Sequence, residues 1–540
     1  MAERLTAANG NNKLTTVTLG QTANQGIENG QPPTTVGITT KVVKGSMWTL
    51  AGQVLPMFAS LLTTPIVIRL LGSEGYGVLL LVGLIPNYFV FADFGMGMAS
   101  TKFASEKYAK GDFEAEARAV RSAAFIALIC SSLFALPIAV FAERIIGQFN
   151  VPENLQWQAV WGLRMACITF VVVILSNVVN TPQLSRLRMD LNAAINAATK
   201  VCISVGTVIV LYSGGGIIGA AAWNLVVATC GFMAHLFVSG RLLRPFLDIS
   251  IDRGLITPML RFGFGLSISG IAGIFLVNLE KLLVTKFISV QSLAYYSIAF
   301  TFANMATVFS WSMVQSLIPA FSQLLTPDRR EQFNALFSRA IKMSIIWLLP
   351  TLMMLFVVAR PFFTVWAGPD FGRESPEPFY ILLAGLLFNI VAYVPYTSLV
   401  ASGRTALIAK IHSAELIPYA VGASILISKF GINGAALAWS LRVILDAAIF
   451  LWLARSVVGV HIGYRRTALV SAFGLMVLSP SVLIAAFYNN YSPLLGLTVP
   501  VSLILYLLVV WRYFVDDDER RWFTSRLPIQ FRSLATRIAH

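Results

Sequence analysis

The chain has 540 residues, of which 56% are hydrophobic and only 12% are charged, and its formal net charge is +15. A soluble domain carries about 25% charged residues, so this composition excludes a large water-facing catalytic domain. The basic excess does not indicate a partner nucleic acid either, because the basic residues are placed along the chain as in a membrane protein.

Residues 1–44 differ in composition from the rest of the chain. They are rich in Asn, Gln, Thr and Gly and contain no apolar stretch, whereas a secretory signal requires an apolar core. The sequence therefore predicts a disordered cytoplasmic tail over this segment.

Apolar runs long enough to cross a bilayer follow this tail, since a hydrocarbon core of about 30 Å needs about 20 residues of helix. The runs are unbroken rather than alternating, which favours helices over the strands of a membrane barrel. We predict an all-α polytopic membrane protein with about fourteen transmembrane helices, at approximately 46–68, 77–98, 122–141, 157–180, 191–212, 217–239, 260–284, 291–315, 343–366, 379–401, 406–428, 433–454, 467–488 and 493–514.

The basic residues fix the predicted topology. With the N-terminus inside and alternating crossings, 30 of the 40 basic residues fall in inner segments, as the positive-inside rule requires. Both termini are then cytoplasmic. The C-terminal tail 516–540 mixes basic, aromatic and aliphatic residues, which is typical of a segment that lies on anionic membrane lipids.

An internal repeat divides the apolar region. Residues 216–221 (GIIGAA) recur as 431–436 (GINGAA) at an offset of 215, and each copy is followed by a tryptophan. Six crossings separate the copies, so the two halves share one orientation, as in parallel-repeat transporters. We predict a six-helix lobe at 45–240, a cytoplasmic linker at 241–259, a second six-helix lobe at 260–455 and two additional helices at 456–515.

Six short segments carry a family resemblance: 70–77 (LLGSEGYG), 93–97 (DFGMG), 280–283 (EKLL), 293–299 (LAYYSIA), 399–405 (LVASGRT) and 431–436 (GINGAA). Over roughly residues 45–515 the chain resembles the polysaccharide flippases of the multidrug/oligosaccharidyl-lipid/polysaccharide exporter superfamily. The resemblance implies two six-helix lobes around a central cavity, two extra C-terminal helices and alternating access.

The same resemblance implies a function. Such flippases move polyprenyl-diphosphate-linked oligosaccharides from the inner to the outer leaflet of the bacterial cytoplasmic membrane. The products serve O-antigen, capsule or exopolysaccharide synthesis, so polysaccharide polymerase and export proteins are the implied partners.

Charged residues deep in a bilayer are costly and are therefore functional candidates. Lys200 and Glu415 are separated by the repeat offset of 215, which places opposite charges at equivalent heights in the two halves. Lys200 can meet a lipid phosphate while Glu415 carries a coupling proton or cation, because hydrocarbon favours the protonated form of a carboxyl group. Alternatively, the two residues pair with each other or with neighbours and are structural.

Other intramembrane charges have comparable structural interpretations. Arg442 and Asp446 are four residues apart, so they share a helix face and are predicted to form an ion pair. Arg164 either reaches the headgroups or faces the cavity. Lys281 adjoins Glu280 near the predicted outer edge, where the same two alternatives apply.

Polar residues on the helices that line the cavity in the resembled family complete the candidate set. Gln53 and Asn87 are candidate substrate contacts together with Lys200, Arg164, Lys281 and Arg442. Asp93 is a candidate for ion coupling together with Glu415, Asp446 and Glu280. Hydrogen bonding between helices explains the uncharged ones comparably well.

No enzyme motif is present. The chain contains no HExxH, GxxxxGK[ST] or GxSxG segment, and its cysteines and histidines show no metal-ligand spacing. We therefore predict no catalytic residue, no metal site and no cofactor. Without a P-loop, the energy for transport must come from an ion gradient, of H⁺ or Na⁺, or from the substrate gradient.

Two other functions are compatible with this architecture. A cation-coupled multidrug exporter is expected to have an acidic cavity, whereas the intramembrane charges here are of both signs. A membrane polysaccharide polymerase or ligase is expected to have a sizeable external loop, whereas the longest predicted external segments, near 142–156 and 367–378, are short. The sequence therefore favours a flippase that catalyses no covalent reaction.

Overall fold

The computed structural model describes residues 35–243, 250–460, 464–487, 493–516 and 520. No β-strand occurs in this part of the chain, which confirms the predicted all-α class. Most of the predicted tails, 1–34 and 521–540, lies outside the described residues.

The N-terminal half is built from long apolar helices joined by short turns. Its helices are α1 (Thr35–Asn87), α2 (Met96–Ala109), α3 (Phe113–Val140), α4 (Ala142–Ile146), α5 (Glu153–Val179), α6 (Thr181–Ser185), α7 (Met189–Tyr212) and α8 (Gly216–Leu242).

The C-terminal half repeats this plan and adds two helices. It comprises α9 (Arg253–Phe287), α10 (Val290–Met305), α11 (Thr307–Leu324), α12 (Arg330–Ala367), α13 (Pro369–Glu374), α14 (Pro376–Ala401), α15 (Thr405–Leu453), α16 (Tyr464–Phe487) and α17 (Leu494–Val509).

One glycine in each half bends a long helix. Gly72 (φ 72°, ψ 173°) divides α1, and Gly431 (φ 60°, ψ −138°) divides α15. A positive φ is accessible to glycine without the steric cost that a Cβ atom brings. Among the described residues, ten helices are long and apolar enough to span a membrane. The protein is thus a multi-pass membrane protein, while the number fourteen stays a prediction because several crossings run together.

The helix bounds differ from the predicted ranges at three places. Helix α1 begins at Thr35, within the predicted tail 1–44, because a membrane helix can continue into water beyond its apolar run. The predicted crossing 77–98 is interrupted between α1 and α2, where Phe94 and Gly95 adopt left-handed conformations (φ 47° and 66°). The predicted linker 241–259 is shorter, since α8 ends at Leu242 and α9 begins at Arg253.

The two halves touch at the end that the basic residues predict to be extracellular. Asn150 Nδ2 donates to the backbone oxygens of Lys286 (3.1 Å) and Ile288 (3.0 Å). A Cβ atom on Gly77 of α1 would lie 1.9 Å from the Val290 carbonyl oxygen. Only glycine therefore allows this approach of α1 to α10. We refer to these contacts as the outer seam.

The halves also touch at the opposite, predicted cytoplasmic end. The Asp252 backbone N–H, just before α9, donates to Ser122 Oγ of α3 at 3.0 Å. A Cβ atom on Gly263 of α9 would lie 1.8 Å from the Phe94 carbonyl oxygen. These contacts form the inner seam. The halves are thus joined at both ends, and one continuous apolar core runs from the first half into the second.

The two additional helices pack on the C-terminal half. Tyr506 of α17 donates to the Ile346 carbonyl oxygen of α12 at 3.0 Å. At the predicted cytoplasmic end, Lys342 Nζ of α12 lies 2.7 Å from Asp516 Oδ2, just beyond α17. These contacts hold α17 against α12, and α16 also packs on α12.

Candidate functional site

Glu280 on α9 is fully buried (0% exposed) in the C-terminal half. Tyr419 Oη of α15 donates to Glu280 Oε2 at 2.9 Å, and Tyr296 Oη of α10 donates to Oε1 at 3.4 Å. A buried charge is very costly unless it is hydrogen-bonded. The two phenols therefore stabilise this carboxylate where three helices meet.

A histidine and two carboxyl side chains lie close together on the two arms of α15, the helical segments before and after Gly431. His412, Glu415 and Asp446 each offer one ligand atom, and these atoms lie within 4.8 Å of one another. Glu415 is 8% exposed and Asp446 is 7% exposed. Neither oxygen of Glu415, nor Oδ1 of Asp446, has a hydrogen-bond partner in the described part of the chain. We call these three residues the carboxylate cluster.

Such a group has room for a cation or a shared proton. Oxygen ligands bind a hard cation at about 2.3–2.6 Å, so two ligands of one ion lie at most about 5 Å apart. The observed limit of 4.8 Å agrees with that separation. Buried polar atoms are nearly always hydrogen-bonded, and either a bound cation or a proton shared by the two carboxyl groups would satisfy these oxygens.

Arg442 connects the carboxylate cluster with Glu280. Its guanidinium carbon lies 5.5 Å from the centroid of the Tyr419 ring, and Tyr419 holds Glu280. Arg442, Glu415 and Tyr419 also line one cavity of about 430 Å³ between the arms of α15. The rest of that lining is mainly aliphatic, with the small residues Ala414, Gly422 and Ala438.

The predicted ion pair between Arg442 and Asp446 was wrong. No nitrogen of Arg442 lies within 4.0 Å of an Asp446 oxygen, although both residues are described. Their order explains this in part, because a basic residue four positions before an acidic one is the less favourable arrangement on a helix. In addition, the Tyr419 ring offers the guanidinium a cation–π contact.

Lys281 is held on the other side of α9. Its Nζ donates to Asn278 Oδ1 at 2.8 Å and lies 4.4 Å from the Phe300 ring centroid. Tyr88 of the N-terminal half donates through Oη to the Asn278 carbonyl oxygen. Lys281 thus lies next to a contact between α9 and the N-terminal half.

The remaining candidates lie in the N-terminal half and do not join this site. Lys200 lies in the middle of α7, as predicted, but it is exposed and makes no ion pair with a described residue. Arg164 pairs with Glu143 at 3.0 Å and covers the Trp161 ring, which agrees with the headgroup interpretation.

Gln53, Asn87 and Asp93 also lie apart from the site. Gln53 and Asn87 are exposed. Asp93 Oδ1 accepts from the Gly95 backbone N–H at 2.8 Å and so stabilises the turn before α2. None of these three has a contact with the carboxylate cluster among the described residues.

Two residues of the site escaped the sequence analysis. His412 was not singled out, although it lies three positions before Glu415 on the same helix face. Tyr419 follows Glu415 by four positions on that face. A search for polar residues at spacings of three and four around each buried charge finds both.

A profile of the polysaccharide biosynthesis protein family matches residues 42–325. The chain belongs to the polysaccharide biosynthesis protein family. This confirms the resemblance seen in the short segments. The matched range runs through the first half and α9 to the end of α11, and so includes Glu280 and both seams.

Three relatives in this family carry informative names. The chain is 22% identical over 420 residues (76% of this chain, 97% of the relative) to an O-antigen transporter of Shigella flexneri. It is 23% identical over 456 residues (81% and 87%) to a low-salt glycan biosynthesis flippase of Haloferax volcanii. It is 23% identical over 368 residues (67% and 70%) to a succinoglycan biosynthesis transport protein of Rhizobium meliloti.

Two solved structures share the fold of this family member. The lipid II flippase MurJ, in an inward closed conformation, aligns with a TM-score of 0.65 at 14% identity, covering 86% of this chain and 97% of MurJ. An inward-facing multidrug resistance transporter of the MATE family aligns with a TM-score of 0.61 at 14% identity, covering 76% and 98%. Both likenesses concern the fold alone.

Proposed function

We propose that the protein is a flippase that moves a polyprenyl-diphosphate-linked oligosaccharide from the inner to the outer leaflet by alternating access. The observation that carries this proposal is the family match together with relatives named as carriers of O-antigen, glycan and succinoglycan. The fold shared with a lipid II flippase supports it. The product serves cell-surface polysaccharide synthesis, whether O-antigen, capsule or exopolysaccharide.

The polarity of the headgroup explains why a protein is needed to move it across the bilayer. A diphosphate and sugar hydroxyls lose their hydration in hydrocarbon, which costs several kcal/mol for each unsatisfied polar group and far more for a charge. A path between the two halves replaces water with protein groups. The outer and inner seams are the contacts that must open in turn, since each joins one half to the other at one end.

The carboxylate cluster supports coupling to an ion. Glu415 and Asp446 lie on opposite arms of α15, so a proton or Na⁺ held between them links the arms. A bound ion neutralises buried carboxylates whose oxygens otherwise lack partners. The arms therefore pack differently with and without the ion, and transport follows the ion gradient. Lys200, which is exposed in the N-terminal half, remains a candidate contact for the lipid phosphate.

The flippase is proposed to reside in a bacterial cytoplasmic membrane with both termini cytoplasmic. The positive-inside distribution supports this orientation. Anionic lipids are its proposed contacts along the basic C-terminal tail, and polysaccharide polymerase and export proteins are its proposed partners. No covalent step is proposed, so the protein is not an enzyme in this account.

Deletion of the gene tests the function directly. Lipid-linked sugars should accumulate on the cytoplasmic leaflet, and expression of the intact chain should remove them. Unchanged sugar lipids together with increased drug sensitivity would favour a multidrug exporter, the candidate that the MATE likeness and the buried carboxylates support.

Ion coupling is tested with two variants and a control. Glu415→Gln and Asp446→Asn should each make transport in reconstituted vesicles insensitive to imposed H⁺ and Na⁺ gradients. Glu331→Gln, an exposed carboxyl change at the start of α12, should keep the response of the intact chain. An unchanged gradient response in both cluster variants, at equal membrane abundance, would remove the cluster from the mechanism.

A further inference from the structure

A basic pocket lies on the inner seam, apart from the carboxylate cluster. It encloses about 410 Å³ and is open to the surface at the predicted cytoplasmic end. The N-terminal half contributes two residues of α2, and the C-terminal half contributes the first turns of α9. The lining consists of Lys102, Phe103, Thr257, Pro258, Arg261 and Phe262.

Close packing of the two helices builds this pocket. The ring centroids of Phe103 and Phe262 lie 6.3 Å apart, edge to face. One residue further along α9, Gly263 meets the Phe94 carbonyl oxygen so closely that no Cβ atom fits. The walls therefore belong to different halves and keep this shape only while the inner seam is closed.

Two cations face the pocket, one from each half. Lys102 Nζ lies 4.5 Å from the Phe262 ring centroid. Lys102 and Arg261 are both exposed, and neither forms an ion pair with any residue that the structure describes. The lining contains no carboxylate. Two unneutralised cations over low-dielectric aromatic walls concentrate a positive potential and attract an anion.

We propose that this pocket binds the diphosphate of the lipid-linked sugar at the inner seam. The inference rests on the proposed function and names where its substrate first docks. Guanidinium and ammonium groups are the usual protein partners of phosphate oxygens. The Thr257 hydroxyl adds a donor, and the Phe103 and Phe262 rings offer apolar surface to the adjoining isoprenoid or sugar.

A ligand shared by the two halves also links binding to conformation. A diphosphate that contacts both Lys102 and Arg261 binds only the state in which the inner seam is closed, so it increases the population of that state. Opening of the seam separates the two cations and releases the diphosphate. The pocket thus couples the position of the headgroup to the movement of the halves.

Binding of farnesyl diphosphate, a short polyprenyl diphosphate, tests the proposal with the purified full chain in phosphatidylcholine nanodiscs. Lys102→Gln and Arg261→Gln should each raise Kd about tenfold, which corresponds to about 1.4 kcal/mol. The matched controls Lys110→Gln, one residue after α2, and Arg253→Gln, at the start of α9, change exposed cations outside the pocket. They should leave Kd within about twofold, which corresponds to about 0.4 kcal/mol.

The double variant decides the result. Farnesyl diphosphate binding to Lys102→Gln/Arg261→Gln that equals binding to the intact chain overturns the pocket, whatever the transport activity. Gly263→Ala supplies an independent arm, because it parts the seam without removing a charge and should also weaken binding. Unchanged binding in Gly263→Ala would contradict the requirement for a closed seam.

Two further measurements are needed. One distinguishes a polyprenyl diphosphate from a membrane phospholipid as the ligand, and the other tests the proposed function apart from the pocket. Phosphatidylglycerol is added to the nanodiscs as a competitor. If it displaces farnesyl diphosphate from the intact chain, and if the double variant loses affinity for both lipids equally, the pocket is a phospholipid site and the substrate assignment fails. Vesicle transport by the intact chain reports on the proposed function separately. If the intact chain transports the lipid-linked sugar but the double variant binds farnesyl diphosphate normally, the proposed function stands and the pocket is refuted.

Discussion

Gly77 offers the sharpest test of the outer seam. A Cβ atom at this position lies 1.9 Å from the Val290 carbonyl oxygen, whereas an ordinary contact is 3.4 Å or longer. In Gly77→Ala the two backbones must therefore separate by about 1.5 Å. Forcing extra atoms into a close-packed contact costs about 1–3 kcal/mol.

The cost applies only to the state in which this seam is closed. A free energy of that size shifts a two-state equilibrium by about 5–150-fold. Gly77→Ala should therefore populate a state that is open at the predicted extracellular end. Gly83→Ala is the matched control, because Gly83 lies on the same helix and a Cβ atom there meets nothing within 4 Å.

Distances between spin labels at Gln148 and Arg373 report on this opening. Both residues are exposed and belong to different halves, and the four native cysteines, all free, are replaced first. The Gly77→Ala distribution should gain a longer component that Gly83→Ala lacks. A distribution identical to that of the unsubstituted chain, in protein that inserts normally, would refute the steric argument.

Three further predictions concern other contacts. Gly263→Ala should open the predicted cytoplasmic end instead, seen as faster thiol labelling of cysteines placed along α2; unchanged labelling would contradict this. Glu116→Gln removes the fully buried carboxylate of a bidentate ion pair with Arg186, whose side chain is 11% exposed. It should lower the free energy of unfolding by about 3–5 kcal/mol. Glu114→Gln breaks a more exposed pair with Arg118 and should cost less than about 1 kcal/mol; equal losses by denaturant titration would refute the distinction. Tyr419→Phe removes a 2.9 Å hydrogen bond to the buried Glu280 carboxylate and should lower the free energy of unfolding by about 1.5–3 kcal/mol. Tyr296→Phe should lower it less, because its hydrogen bond is longer, at 3.4 Å. A larger loss in Tyr296→Phe would contradict this prediction.

The helices were predictable because their signal is local. An apolar run of bilayer length must be helical in lipid, so composition alone finds α3, α5 and α14. The break between α1 and α2 was missed because hydropathy does not change there. What changes is backbone conformation at Phe94 and Gly95, which follows from contact with α9, a distant segment.

The candidate site was predictable in part for the same reason. Glu415, Asp446 and Glu280 stand out because a single carboxyl group in a membrane helix is costly wherever it points. Which of them meet depends on how α9 and the two arms of α15 pack, and helix spacing does not contain that information. The failed Arg442 pairing shows this limit, because the competing partner, Tyr419, lies on the other arm.

Equal depth in the repeat did not imply equal environment. Lys200 and Glu415 occupy equivalent places in α7 and α15, yet Lys200 is exposed and Glu415 is buried. Depth follows from position along a helix. Exposure follows from what lies beside the residue. Glu415 faces His412 and Asp446 between the arms of α15, whereas Lys200 makes no ion pair with a described residue.

Vesicle transport of a fluorescent polyprenyl-diphosphate-linked oligosaccharide tests the central claim most directly. The purified chain is reconstituted with the labelled lipid in both leaflets, and an impermeant reductant then bleaches the label that reaches the outer surface. Vesicles with the intact chain should lose nearly all fluorescence, because inner-leaflet lipid is moved outward. Bleaching that stops at the outer-leaflet fraction, as in protein-free vesicles, would contradict the account.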